Sequence, residues 1–140
     1  MLPEREIYTP PEGPPGPQPG LAELFAEWGE ATMRDLVSRF YDRISSSNIA
    51  KMFPTDLQIA KQKQADFIIQ VTGGPSYYLT NWGPARMRMR HFAFEIDEDA
   101  RGEWLRCYKE SLAEIDVSLR SKEIFTQFLD DFSLWMINKR

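Results

Sequence analysis

With 140 residues, a net charge of −4 and a pI near 5.1, the chain is one ordinary domain without the basic footprint that a nucleic-acid or anionic-membrane binder needs. Its hydrophobic content of 42%, including nine Phe and four Trp, is ample for a packed core with large flat contacts. A single cysteine, Cys107, excludes an internal disulfide, no His/Cys set suits structural zinc, and no apolar run reaches the ~20 residues of a membrane-spanning helix, so the expected setting is cytoplasmic, with no membrane partner.

Residues 1–20 carry seven of the ten prolines and three glycines, which forbids a helix or a ladder strand. They read as an N-terminal extension that is disordered or lies along the body, with a polyproline ligand for a partner domain as the rival reading. From Leu21 the pattern turns helical. Leu24, Phe25 and Trp28 make a short apolar face that stops at Gly29, and Met33, Leu36, Val37, Phe40, Tyr41 and Ile44 then follow a helical stripe. Ser45 to Asn48 break that helix, Ile49 to Phe53 form a brief turn closed by Pro54, and Thr55 or Asp56 can cap the next helix. Leu57, Ala60, Gln64, Phe67, Ile68 and Val71 share a face of it, and Gly73-Gly74-Pro75 ends it. Gln64 is the anomaly in that stripe, because an amide on an apolar face costs free energy unless it has a partner.

Residues 75–85 read as a loop from which Tyr77, Tyr78 and Trp82 hang. A short helix then ends near His91, the only histidine, set among Arg86, Arg88, Arg90, Phe92, Phe94 and Ile96. Imidazole is the commonest protein metal ligand and the usual axial ligand of haem, flat apolar side chains suit a ring, and arginines suit anionic groups at its edge. Taken alone, however, a histidine beside aromatics is ordinarily a satisfied core or surface residue. Asp97 can cap a long helix with Trp104, Tyr108, Leu112 and Ile115 on one face, and a last helix runs from about Ser121 with Ile124, Phe125, Phe128, Phe132, Trp135 and Met136 inward. With no period-two alternation and no internal repeat, the class is all-α.

Four features in register carry a family resemblance: Phe40-Tyr41, Gly73-Gly74-Pro75 with Tyr78, Arg88-Met89-Arg90-His91 followed by Phe94, and Trp104-Leu105-Arg106-Cys107. Over about residues 21–140 the chain resembles a truncated haemoglobin of group II, which implies a 2-over-2 helical sandwich around haem b. In that resemblance His91 corresponds to the proximal iron ligand, Tyr41 to the distal tyrosine and Trp104 to the distal tryptophan. Phe53 corresponds to the aromatic that packs on the ring, Ala60 and Gln64 to the helix positions facing the distal pocket, and Lys63 and Arg90 to partners of the propionates. Phe67, Tyr78, Met87, Phe94 and Ile96 correspond to pocket wall. The chain departs from the family pattern in four places: Gly29-Glu30 stands where a glycine pair is usual, Ala93 where a proline often follows the histidine, Gln64 where an aliphatic residue is common, and the proline-rich arm has no counterpart.

The expected chemistry follows from these residues. Neutral His91 binds iron through one ring nitrogen and donates the other to a backbone carbonyl, no second histidine exists to close the opposite axial site, and Tyr41, Trp104 and Gln64 are donors to a polarised guest. The first reading is a haem protein that reversibly binds oxygen, carbon monoxide or nitric oxide, as a monomer or homodimer. A haem redox enzyme, either a nitric-oxide dioxygenase or peroxidase-like, is the alternative. It would need a separate reductase, since the chain has no flavin or nicotinamide motif. A globin-like module that has lost haem is the weakest of the three.

Overall fold

The computed structural model describes residues 5–140, which are helical wherever they are regular. Helix α1 (Leu24–Ile44) buries Leu24, Trp28, Met33, Leu36, Val37, Phe40, Tyr41 and Ile44, the residues of both apolar faces read from the sequence except Phe25, which is half-buried against the core. The expected stop at Gly29 is a kink instead: Gly29 takes φ 78° and ψ 166°, left-handed backbone open to glycine, and the helix resumes on a new axis.

A one-turn 3-10 segment (Ala50–Met52) leads to α2 (Leu57–Val71), whose N-cap is Asp56, its carboxylate accepting from the Gln58 N–H at 3.0 Å. The α2 helix ends at Gly73, where φ is 98° and an added Cβ would lie 1.9 Å from the Ala22 carbonyl oxygen. Phe25 N–H donates to the Thr72 carbonyl at 3.0 Å in the same place, so the Gly73-Gly74 turn lets the start of α1 close on the end of α2.

Residues 75–85, expected as a loop, hold a six-residue helix, α3 (Tyr77–Trp82). Glycine and proline flank it so closely that no periodicity can show. It is held by Asp66, buried on α2, whose carboxylate accepts from Asn81 Nδ2 at 3.0 Å, Trp82 Nε1 at 2.9 Å and Arg34 Nη2 at 3.1 Å. The single turn α4 (Met87–Arg90) follows, then α5 (Glu98–Ala113) with its expected Asp97 cap. The last helix, α6, runs over Leu119–Met136, two residues earlier than expected, because Ser118 caps it by accepting from Ser121 N–H.

The α1 and α2 helices pack as one pair, α5 and α6 as another, and α1 lies on α5. No helix among the described residues is long and apolar enough to cross a membrane. The described part of the arm lies along this body: Pro10 is buried, Tyr8 N–H donates to the Asn138 carbonyl at 2.9 Å, and Gln18 Nε2 donates to the Ile124 carbonyl at 2.8 Å. Residues 1–4 of the expected extension lie outside the described residues.

Candidate functional site

A cavity of about 510 Å³ opens between the two helix pairs, a volume in the range of pockets that take drug-sized ligands. His91 forms one wall at the C-cap of α4. Its Nδ1 lies 2.6 Å from the Met87 carbonyl oxygen, which can only accept, so Nδ1 carries the proton and Nε2 keeps a bare lone pair. Burial pushes the imidazole pKa below its ordinary value, against the opposing pull of the Met87 bond. The ring is therefore neutral and oriented, the state a metal needs. Left-handed backbone at Arg86, φ 41°, starts the single turn that sets the Met87 carbonyl one turn ahead of His91, and such strain at a non-glycine residue costs roughly 1–3 kcal/mol.

The opposite wall comes from α1, α2 and α5. Tyr41, Ala60, Gln64 and Trp104 all line the cavity, as do Phe53 from the turn before α2 and Lys63 at the rim. Tyr41 and Trp104 have no protein hydrogen-bond partner for the phenol or the indole N–H among the described residues, whereas Trp28 donates to Ser121, Trp82 to Asp66 and Tyr77 to Glu30. Burial raises the Tyr41 phenol pKa, so it stays protonated and remains a donor. The two rings are fixed from behind by Phe40, which meets Tyr41 at 5.0 Å and Trp104 at 5.9 Å between centroids and stacks on Tyr108 at 3.9 Å.

Gln64 is placed differently from Tyr41 and Trp104. Its Nε2 donates to the Tyr108 hydroxyl at 2.7 Å, and Tyr108 is fully buried. The amide that looked anomalous in the α2 stripe thus has an internal partner. Tyr108 shares the α5 face of Trp104, and its spacing marks it only as core.

Of the remaining wall residues, Tyr78, Met87, Arg90, Phe94 and Ile96 line the cavity. Phe67 does not: it stands behind the wall, against Tyr78 at 5.9 Å and Phe132 at 5.4 Å. Arg90 is already engaged, donating to the Ala85 carbonyl at 2.6 Å and the Pro84 carbonyl at 2.7 Å. Lys63 sets its ammonium over the Trp82 ring at 5.1 Å. The cavity is also lined by Arg101, Phe132, Ser133 and Met136, with Arg101 Nε donating to Ser133 Oγ at 3.0 Å. Phe132 and Met136 belong to the inward stripe of α6, but nothing in the sequence singles out Arg101 or Ser133.

A neutral histidine with one free nitrogen, facing two unpartnered donors that open onto the same apolar cavity, is the architecture of a haem pocket. The bacterial-like globin family profile matches residues 24–138. The chain is a globin of that family. Within it, the chain belongs to the group II truncated haemoglobins: it is 31% identical over 112 residues to a group 2 truncated hemoglobin of Bacillus subtilis, covering 79% of this chain and 85% of that one. Its structure is similar to that of phosphate-bound Hell's gate globin IV, with a TM-score of 0.84 and 37% identity over 91% of this chain and 81% of that one. It is likewise similar to a truncated oxygen-avid haemoglobin from Bacillus subtilis, with a TM-score of 0.78 and 30% identity over 81% and 98% of the two chains. Membership makes this a haem-binding protein for diatomic ligands.

Proposed function

We propose that this globin holds haem b through His91 Nε2 and reversibly binds oxygen on the Tyr41 and Trp104 side of the cavity. The observation that carries the reading is the asymmetry of hydrogen bonding around the cavity: His91 has Nδ1 satisfied by Met87 at 2.6 Å, while Tyr41 and Trp104, both lining the cavity, keep their protons for a guest. No fully enclosed side-chain polar atom among the described residues lacks a partner; the Tyr41 hydroxyl and the Trp104 indole N–H are instead left open to the cavity, free to serve a polar ligand.

Haem, when bound, would be held by His91 and would supply an iron able to take a diatomic ligand. The Met87 carbonyl holds the His91 ring in one tautomer and makes Nε2 a stronger donor to metal. Phe53, Tyr78, Phe94 and Ile96 exclude water from the faces of a flat apolar group. Lys63 and Arg90, at the rim, are the cations available to its carboxylates, Lys63 the freer of the two because Arg90 is already spent on backbone carbonyls. Tyr41 and Trp104 donate to a ligand that carries partial negative charge, which favours oxygen over carbon monoxide. The oxygen-avid relative supports this reading.

The test is the spectrum of the haem-loaded chain. An intense Soret band that shifts with oxygen and carbon monoxide is expected, and His91→Ala should lose the five-coordinate ferrous form. An unaltered ferrous spectrum in that variant would overturn the assignment of His91.

A further inference from the structure

The segment between His91 and Ile96 has no regular structure and carries Ala93 where a proline would stiffen it, yet its main chain is held at Phe92 and Phe94 and at both ends. Asn138, fully buried, donates from Nδ2 to the His91 carbonyl at 3.2 Å and accepts at Oδ1 from the Ile96 N–H at 2.9 Å. The Asn138 N–H donates to the Ile96 carbonyl at 2.9 Å. Arg5 closes the set from the N-terminal arm. Its Nη2 donates to the Phe94 carbonyl at 2.8 Å, to the Phe92 carbonyl at 3.2 Å and to Asn138 Oδ1 at 2.7 Å, and its Nη1 donates to the Asn138 carbonyl at 3.0 Å.

We propose that the N-terminal arm is a proximal strap in which Arg5, acting through Asn138 and the carbonyls of Phe92 and Phe94, is a positioning residue for His91; the inference rests on His91 being the haem ligand. Arg5 makes no ion pair among the described residues, and both of its terminal nitrogens are given to neutral acceptors. A planar fork with two terminal nitrogens reaches acceptors set apart from one another, a span that a lysine ammonium, with its three donors on one nitrogen, does not match. The His91 ring is fixed by Met87 on the side of α4, and its main chain by Asn138 and Arg5 on the other. Releasing Arg5 frees the carbonyls on which the second anchor depends, so the imidazole gains freedom of tilt although nothing in the cavity has changed. Tyr8 also ties the arm near this segment, its N–H donating to the Asn138 carbonyl and its carbonyl accepting from Arg88 Nη2 at 2.8 Å, whereas Gln18, donating to the Ile124 carbonyl at 2.8 Å, ties it to α6 away from this segment and serves as the control.

The experiment uses the haem-loaded full chain as wild type, Arg5→Gln, Arg5→Lys and Gln18→Ala. It reads the iron–histidine stretching band of the ferrous form, the rate of haem transfer to an apoglobin acceptor, and the melting temperature. Arg5→Gln is expected to shift or broaden the band and to speed haem loss about tenfold, the equivalent of ~1.4 kcal/mol, and Arg5→Lys to resemble it. Gln18→Ala is expected to lower the melting temperature and leave the band unchanged. A normal Soret band with identical stretching bands and haem-loss rates in wild type and Arg5→Gln overturns the strap alone. A wild-type chain without a Soret band overturns the haem reading, and the strap with it.

Discussion

Tyr41, Trp104 and Gln64 looked equivalent as donors in the sequence, and the structure separates them. Tyr41 and Trp104 face the cavity without partners, while Gln64 is tied to Tyr108 at 2.7 Å. Residue type announced the first two once His91 set the register, but the partner of Gln64 could not be read, because Tyr108 lies one turn from Trp104 and helical spacing gives both the same face. The consequence is kinetic. A hydrogen bond to a strongly polarised acceptor is worth ~1.5–3 kcal/mol, or roughly 10- to 150-fold in a dissociation rate. With Gln64 engaged, Trp104 is the residue left to compensate for a lost Tyr41 hydroxyl. Tyr41→Phe should therefore speed oxygen release about tenfold, and adding Trp104→Phe should exceed the product of the two single effects. Carbon monoxide, less polarised when bound, should respond less, and stopped-flow dissociation of both gases decides it: equal responses would mean that Tyr41 acts by shape.

Asp66 makes a matching case at the scale of an element. Desolvation raises its pKa, but the bonds from Asn81, Trp82 and Arg34 together outweigh that, and the net value lies below the ordinary 3.8. A depressed carboxylate contributes stability that is present above its unfolded pKa and is lost as pH falls through the folded one. The advantage of wild type over Asp66→Asn in thermal unfolding should accordingly be full at neutral pH and shrink on acidification below about pH 4. At neutral pH, Asp66→Ala should cost roughly 1–3 kcal/mol by stranding the Trp82 and Asn81 donors. An Asp66→Ala variant of unchanged stability would mean that α3 is held by its other ties, the Tyr77 bond to Glu30, the Leu79 N–H bond to Gln70 and Tyr78 packing. The long helices were legible because each spans several turns of one apolar stripe; α3 was not, because six residues between Gly-Pro pairs give no period to detect and its anchor is sixteen residues away.

The whole molecule shows why a segment with no apolar stripe can still belong to the fold. Seven prolines in residues 1–20 fix φ in the unfolded chain as well as the folded one, so the arm loses less than the usual ~1–2 kcal/mol of backbone entropy per residue on docking. Over residues 5–20 composition correctly excluded a helix or strand, but it could not tell a docked arm from a free one, since docking depends on acceptors supplied by distant Asn138 and Ile124. The arm's anchors are the Tyr8 N–H, Gln18 and Arg5 bonds and the buried Pro10 ring. Each such bond is worth ~0.5–1.5 kcal/mol net, which offsets a cost of ordering that the prolines reduce. A net gain of ~1–2 kcal/mol in a domain of this size corresponds to about 3–10 °C in melting temperature. Deleting residues 1–19 should therefore lower the melting temperature by about that much while haem still binds, because His91 and its Met87 anchor both lie within the remaining chain. Calorimetry on the loaded protein with and without the arm reads it directly, and an unchanged melting temperature would mean that the arm rests on the body without stabilising it.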